Sequence, residues 1–283
     1  MKDVSVITGG CGGMGFATAA VLGRHGGAVL LCDTKEESLK ESVEILKRQN
    51  IDAHGIAVDV TNVEQVKAAA EKAAALGTIK NIFHTAGISP IIVAKLDPAA
   101  GADAIMRVNA LGTLNVLENF YPVLGKRGGS VVCLTSSSNY LMPVVPDSMK
   151  DVFDSVISDR EHIEEKLLLL SGGQPGRAYM FSKLFAKRYC DMNLGRFGKK
   201  GWRINTIAPG RILTPMHCAL IEAEPDRIAG EIATMPLGRY GNAYEIANLV
   251  DFLCSADGAY INGIDILVDD GTQAFTTVPQ IAD

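Results

Sequence analysis

The sequence has no excess of positive charge: 27 lysines and arginines against 32 acidic residues leave a net charge of −5, with the two signs intermixed. That balance excludes a basic nucleic-acid surface and a basic membrane-binding tail. There is no apolar stretch long enough to cross a bilayer. A strand-like run begins at Val4, with no charged segment and apolar run ahead of it, so a cytoplasmic location is expected. The six cysteines (Cys11, Cys32, Cys133, Cys190, Cys218 and Cys254) form no C-x-x-C and no metal-ligand pairing with histidine. Reduced, mostly buried thiols and no metal site are expected. The histidines His25, His54, His84, His162 and His217 stand apart, and both the G-x-S-x-G elbow and H-E-x-x-H are missing, so a hydrolase or metalloenzyme finds no support. No linker interrupts the chain either. Its 283 residues, 47% apolar, are read as a single domain over residues 1–283 with a small molecule as its partner.

What the chain does contain is a regular alternation of strand-like and helical segments. Val4 to Ile7 is a β-rich run, followed by the glycine turn Thr8 to Gly15 and a helical stretch reaching His25. Glycines allow positive φ and close approach of a pyrophosphate, and the following helix start offers free N–H groups. The second strand, Ala28 to Cys32, ends at Asp33. An acidic residue there accepts hydrogen bonds from ribose hydroxyls and repels a 2′-phosphate, which favours NAD; equally it could cap the helix beginning near Lys35, and Lys35 could receive a phosphate. Helix Glu36 to Arg48, a strand from His54 to Val58, Asp59-Val60, helix Val63 to Leu76 and a strand from Asn81 to Thr85 continue the pattern. Asp59 is placed to meet the adenine amino group or to lie beside a helix cap. Ala86-Gly87 would let a cofactor pass close to the backbone. Such βα alternation predicts an α/β fold, a doubly wound parallel sheet with its ligand at the carboxyl ends of the strands.

A long helix is expected from Pro98 to Leu124, with Asn109 in its middle either kinking the helix or holding a water. The strand Ser130 to Thr135 runs into Ser136-Ser137-Ser138. Tyr179 and Lys183 stand at i and i+4, on one helix face. A positive charge beside a phenol favours the phenolate, and such a tyrosine could exchange a proton with an alcohol or ketone oxygen.

Together T-G-x-x-x-G-x-G (Thr8 to Gly15), Asp33, Asp59-Val60, Ala86-Gly87, Asn109, Ser136, Tyr179-x-x-x-Lys183 and Pro209-Gly210 resemble the short-chain dehydrogenase/reductase family over nearly the whole chain. The resemblance implies a Rossmann fold and catalytic roles for four residues. Tyr179 would be the general acid/base, Ser136 would bond the substrate oxygen, Lys183 would hold the nicotinamide ribose and lower the tyrosine pKa, and Asn109 would position a relay water. The cofactor site would comprise Gly9, Cys11, Gly12, Gly13, Met14, Gly15, Asp33, Asp59, Val60, Ala86, Gly87, Tyr179, Lys183, Pro209, Gly210, Ile212 and Thr214. It also implies a homodimer or homotetramer, contacting its neighbour through the helix Ala243 to Cys254 and the strand ending near Asp269.

Two departures from the family pattern stand out. His84-Thr85-Ala86-Gly87 replaces N-N-A-G, so the hydrogen bonds that steady the central strand must come from elsewhere. The interval from Ser136 to Tyr179 is far longer than the family's usual dozen or so residues, leaving residues 139–176 as a helical insertion before the tyrosine. Met149, Val152, Phe153, Val156 and Ile157 fall at helical spacing, as do residues around Leu167, predicting one or two amphipathic helices whose apolar face lies near the substrate or at a subunit interface. Residues 213–236, with Met216, Leu220, Ile221, Ile228, Ile232 and Met235, read as a substrate-covering segment. The insertion resembles that of the 3α-hydroxysteroid dehydrogenase/carbonyl reductase branch. The expected activity is therefore NAD-dependent interconversion of an apolar secondary alcohol and its ketone. A hydroxysteroid such as a bile acid is the favoured substrate, a smaller or xenobiotic carbonyl compound the alternative, and a non-catalytic NAD-binding protein a third reading.

Overall fold

The computed structural model describes residues 2–126, 128–215, 218 and 224–281. Its strands are β1 (Asp3–Thr8), β2 (Ala28–Asp33), β3 (Asp52–Ala57), β4 (Thr78–His84), β5 (Gly129–Leu134), β6 (Trp202–Pro209), β7 (Ile212–Leu213), β8 (Gly241–Asn242) and β9 (Asp265–Val268). Seven of these form one parallel sheet in the order β3-β2-β1-β4-β5-β6-β9, and β7 pairs with β8. The strand interiors are almost continuously apolar because both faces are covered. Side chains alternate between the layers: Val4, Val6, Leu30 and Ile82 enter one core, while Ile7, Val29, Leu31 and Phe83 enter the other.

The helices are α1 (Gly13–Gly23), α2 (Glu36–Arg48), α3 (Val63–Leu76), α4 (Pro98–Met106), α5 (Gly112–Phe120), α6 (Asp147–Ser158), α7 (Ile163–Ser171), α8 (Pro175–Gly198), α9 (Pro225–Ala233), α10 (Ala243–Cys254) and α11 (Thr272–Thr277). Local chemistry sets their starts. The Asn62 side chain accepts the Gln65 N–H at the start of α3, and Asp97 accepts the N–H groups of Ala99 and Ala100 ahead of Pro98 in α4. At α10, Asn242 and Glu245 close a capping box. No helix among the described residues is long and apolar enough to cross a membrane, and those residues hold no cluster of metal ligands.

Three sequence expectations are corrected here. The helix expected from Pro98 to Leu124 is broken: α4 gives way to a π-helical turn at Arg107–Leu111 before α5, and a 3₁₀ turn follows at Tyr121–Val123. Two side-chain contacts account for the wider turn. Asn109 is tied to the backbone of Ile88, and the Thr113 hydroxyl bonds back to the Asn109 carbonyl at 2.7 Å. β3 starts at Asp52, ahead of His54, and the last strand ends at Val268, before Asp269.

The insertion forms two helices as expected, but its apolar face turns inward. Met149, Phe153 and Val156 of α6 and Ile163 and Leu167 of α7 are buried in the core layer containing α4 and α8. Phe153 meets Phe185 of α8 edge-on with ring centroids 5.5 Å apart, and Arg188 of α8 holds Asp154 through bonds of 2.6 and 2.5 Å. Ile157, at the same helical spacing, and Leu169 of α7 stay exposed. Of the segment read as substrate-covering, Met216, Leu220, Ile221 and Glu222 lie outside the described residues. Ile228 and Met235 pack with Tyr240 in a small cluster, with Ile232 against it.

If α6 docks through Phe153, then Phe153→Ala should destabilise the protein by about 3–5 kcal/mol in urea titrations. Ile157→Ser, on the 76% exposed outer face, should change stability by no more than about 0.5 kcal/mol. Similar losses from both would place the docking face elsewhere.

Candidate active site

The glycine turn follows β1 in the middle of the sheet, where the chain must reverse into α1 with almost no room. Gly9 has φ +66°, and a Cβ there would lie 2.8 Å from the Ala86 nitrogen. A Cβ on Gly15 would sit 2.2 Å from the Gly9 carbonyl oxygen. Only glycine fits either position. Gly12 is the N-cap of α1 and supplies no side-chain cap, leaving first-turn N–H groups for an anion. Across the opening, a Cβ on Gly13 would meet Thr214 and Pro215 at 3.2 to 3.3 Å.

These residues line a cavity of about 570 Å³ running along the carboxyl ends of the strands. All the residues expected to hold a cofactor line it: Gly9, Cys11, Gly12, Gly13, Met14, Gly15, Asp33, Asp59, Val60, Ala86, Gly87, Tyr179, Lys183, Pro209, Gly210, Ile212 and Thr214. Ser136 lines it too. Asn109, 1% exposed, stands behind the wall.

At one end, the Asp33 carboxylate accepts the backbone N–H groups of Cys11 at 3.0 Å and Thr34 at 2.8 Å. It ties the glycine turn to the end of β2 and does not cap α2, whose N-cap is Lys35 without a side-chain bond. Burial beside Asp33 pushes the Cys11 thiol up to about 11, so it is an unreactive wall group. Asp59 Oδ1 accepts both the N–H and the hydroxyl of Thr61 at 2.8 Å, and helix α3 is capped by Asn62 instead. A nucleotide fits this donor set: small backbone-lined walls, free helix N–H groups and a carboxylate at the far end.

At the other end Ser136, Tyr179 and Lys183 converge. Of the three consecutive serines only Ser136 faces the cavity; it caps the 3₁₀ turn Ser137–Leu141, accepting the Ser138 N–H at 3.2 Å. Burial raises the Tyr179 pKa above its ordinary value, while the Ser136 hydroxyl pulls it down. The Lys183 ammonium donates to the Leu134 carbonyl at 3.0 Å, 6.0 Å from the Tyr179 ring centroid. Burial pushes it down to about 8. Burial weakens the charged forms of both Tyr179 and Lys183. Gly87 admits this arrangement, since a Cβ there would lie 3.1 Å from Asn109 Oδ1 and 3.3 Å from Lys183 Nζ.

Asn109 uses its side chain structurally. Oδ1 accepts the Ile88 N–H at 2.9 Å, and Nδ2 donates to the Ile88 carbonyl at 3.0 Å and to Ser182 Oγ at 3.2 Å. The bonds that steady the central strand come from His84 itself. Its Nδ1 lies 2.7 Å from Thr8 Oγ1 and its Nε2 3.1 Å from Thr113 Oγ1. At 2% exposure, desolvation and then the Lys183 charge push His84 down to about 3.

Sequence reasoning missed Thr34, Ser38, Ile88, Ser89, Val108 and Thr135 on the wall. It also missed Thr113, whose i+4 spacing from Asn109 was the available signal.

The short chain dehydrogenase family model matches residues 3–147, and a model described as Enoyl-(Acyl carrier protein) reductase matches residues 175–273. The chain is 29% identical to "Short-chain dehydrogenase/reductase bsc3" of Alternaria brassicicola, over 97% of each chain. It is 30% identical to a levodione reductase of Leifsonia aquatica, covering 96% of this chain and 94% of that one. Among solved structures it resembles an actinorhodin polyketide ketoreductase with NADPH (TM-score 0.77, 21% identity, covering 96% of this chain and 97% of that one). It also resembles a short-chain type dehydrogenase/reductase from Mycobacterium ulcerans (TM-score 0.76, 23% identity, 96% and 90%).

His84 gives a pH prediction. Above its unfolded value of 6.5 the ring is neutral in both states and contributes nothing. As pH falls from 6.5 towards 3, the unfolded chain takes up a proton that the native fold refuses, so stability is lost. Denaturation at pH ~7 and ~5 should show wild type losing about 2 kcal/mol more than His84→Asn over that interval. Parallel losses would mean that the ring is protonated inside the fold.

Proposed function

The chain belongs to the short-chain dehydrogenase family of oxidoreductases, and on that premise we propose that it interconverts a secondary alcohol and a ketone with NAD. The observation that carries this reading is the shared wall: Ser136, Tyr179 and Lys183 line the same cavity as the glycine turn. A nicotinamide bound there would accept or supply the hydride. Tyr179 exchanges the proton at the substrate oxygen, and Ser136, on the same wall, donates to that oxygen. Lys183 has two N–H donors without a protein partner among the described residues, which suits it to the hydroxyls of a nicotinamide ribose. Glycine N–H groups at the start of α1 bind the pyrophosphate. Asp33 selects NAD by accepting the adenosine ribose hydroxyls and repelling a 2′-phosphate. Lys35 and Ser38 on the adjoining wall favour a second reading, in which NADP is tolerated.

For the substrate we propose a ring alcohol or ketone, with a hydroxysteroid as first choice. A relative named 2,5-dichloro-2,5-cyclohexadiene-1,4-diol dehydrogenase has a ring alcohol in its name. A smaller ring compound is the second reading, favoured because no residue of the 139–176 insertion lines the cavity. Exposed Tyr244, Phe252 and Ile264 beside β9 and along α10 support a homodimer or homotetramer. Free buried thiols at Cys32, Cys133 and Cys190 suit a reducing compartment such as the cytoplasm.

Nicotinamide absorbance with NAD and NADP, against hydroxysteroids and smaller ring alcohols and ketones, tests the reading. Tyr179→Phe should lower kcat by about 10²-fold or more while still binding nucleotide; turnover within tenfold of wild type would remove the tyrosine from the chemistry. Asp33→Ala should erode the preference for NAD, and a wild-type preference for NADP would reject the cofactor assignment.

A further inference from the structure

His84 sits within a buried hydrogen-bond chain whose direction its end groups dictate. The Asn109 carbonyl can only accept, so Thr113 Oγ1, at 2.7 Å, gives its proton to it. The Thr113 oxygen is then the acceptor for His84 Nε2 at 3.1 Å, and that nitrogen must carry the ring proton. A neutral ring leaves Nδ1 bare, so the Thr8 hydroxyl donates to it at 2.7 Å, and the Thr8 oxygen in turn accepts the Ala86 N–H at 3.4 Å. Every bond in the chain has one donor and one acceptor. Its two ends are Ala86 on the cavity wall and the Asn109 carbonyl within the π-helical turn.

Both Nδ2 protons of Asn109 go to Ile88 and Ser182 and its Oδ1 accepts the Ile88 N–H, while its backbone carbonyl keeps a lone pair beyond the Thr113 bond. That carbonyl lies within the π-helical turn, where the Thr113 hydroxyl bonds it at 2.7 Å. We propose that His84 is a positioning residue which, in its neutral Nε2–H form, orients the Asn109 carbonyl through Thr113 and locks the strand end at Ala86 through Thr8. Insofar as it serves catalysis, this rests on the dehydrogenase reading above: the carbonyl so oriented holds a water beside Lys183 and the Tyr179 proton path.

Two measurements decide it. In protein carrying ¹⁵N-labelled histidine, the signal absent from His84→Asn should report an Nε2–H tautomer that does not titrate between about pH 5 and 8. An Nδ1–H tautomer, or titration in that range, would overturn the assignment. In kinetics, Thr113→Val should lower kcat about tenfold and shift its pH profile, with KM for the nucleotide unchanged, and Thr113→Ser should restore both. Unaltered kcat and pH profile in Thr113→Val would overturn the positioning role. Wild-type enzyme silent towards all alcohols and ketones would sink the dehydrogenase reading alone, because the tautomer measurement needs no turnover.

Discussion

A lysine ammonium buried at the end of a parallel strand is the constraint around which the site is built. Taking Lys183 out of water disfavours its charge, and the protein answers with a single carbonyl, that of Leu134 at the end of β5. The neighbours follow from that choice. Gly87 leaves room for the ammonium and for Asn109, since a Cβ there would lie 3.3 Å from Lys183 Nζ and 3.1 Å from Asn109 Oδ1. His84 stays neutral because burial and the same ammonium both oppose a second charge. Tyr179, likewise buried, has its pKa raised above the ordinary value. Three ionisable groups and the Ser136 hydroxyl are held close together with little free charge, which leaves the electrostatics of the site to be set by what binds there.

The sheet order explains why these groups meet. β1 lies between β2 and β4, with β5 beyond β4. The chain leaves β1 for α1 on one face and crosses to the other face after β3, where α3 packs, so the strand ends open a crevice with the glycine turn on one side and Ser136 on the other. α8 then delivers Tyr179 and Lys183 from the helical layer that also contains α4 and the insertion.

Much of this was legible because it is local. Helix α2 has Leu39, Val43 and Leu46 on one face, acidic residues in its first turn and basic ones in its last, and its observed limits match the expected ones. The glycine turn and the strand-end residues were legible because backbone approach and strand register tolerate few side chains there. What escaped depends on contacts distant in sequence. The π-helical turn exists because Asn109 reaches Ile88, and the His84 chain needs Thr8, Thr113 and a strand end brought together by the fold. The inward turn of the insertion was hidden for a related reason: an amphipathic pattern says that a face is covered and not by what.

The insertion separates chain distance from spatial distance. Its ends are pinned, one by the 3₁₀ turn after Ser136 and the other by the start of α8, and its interior touches α4 and α8 without reaching the cavity. An outer layer is thus carried on the two anchors that also hold the serine and tyrosine, so substitutions on its solvent face should leave the mutual geometry of that pair unchanged.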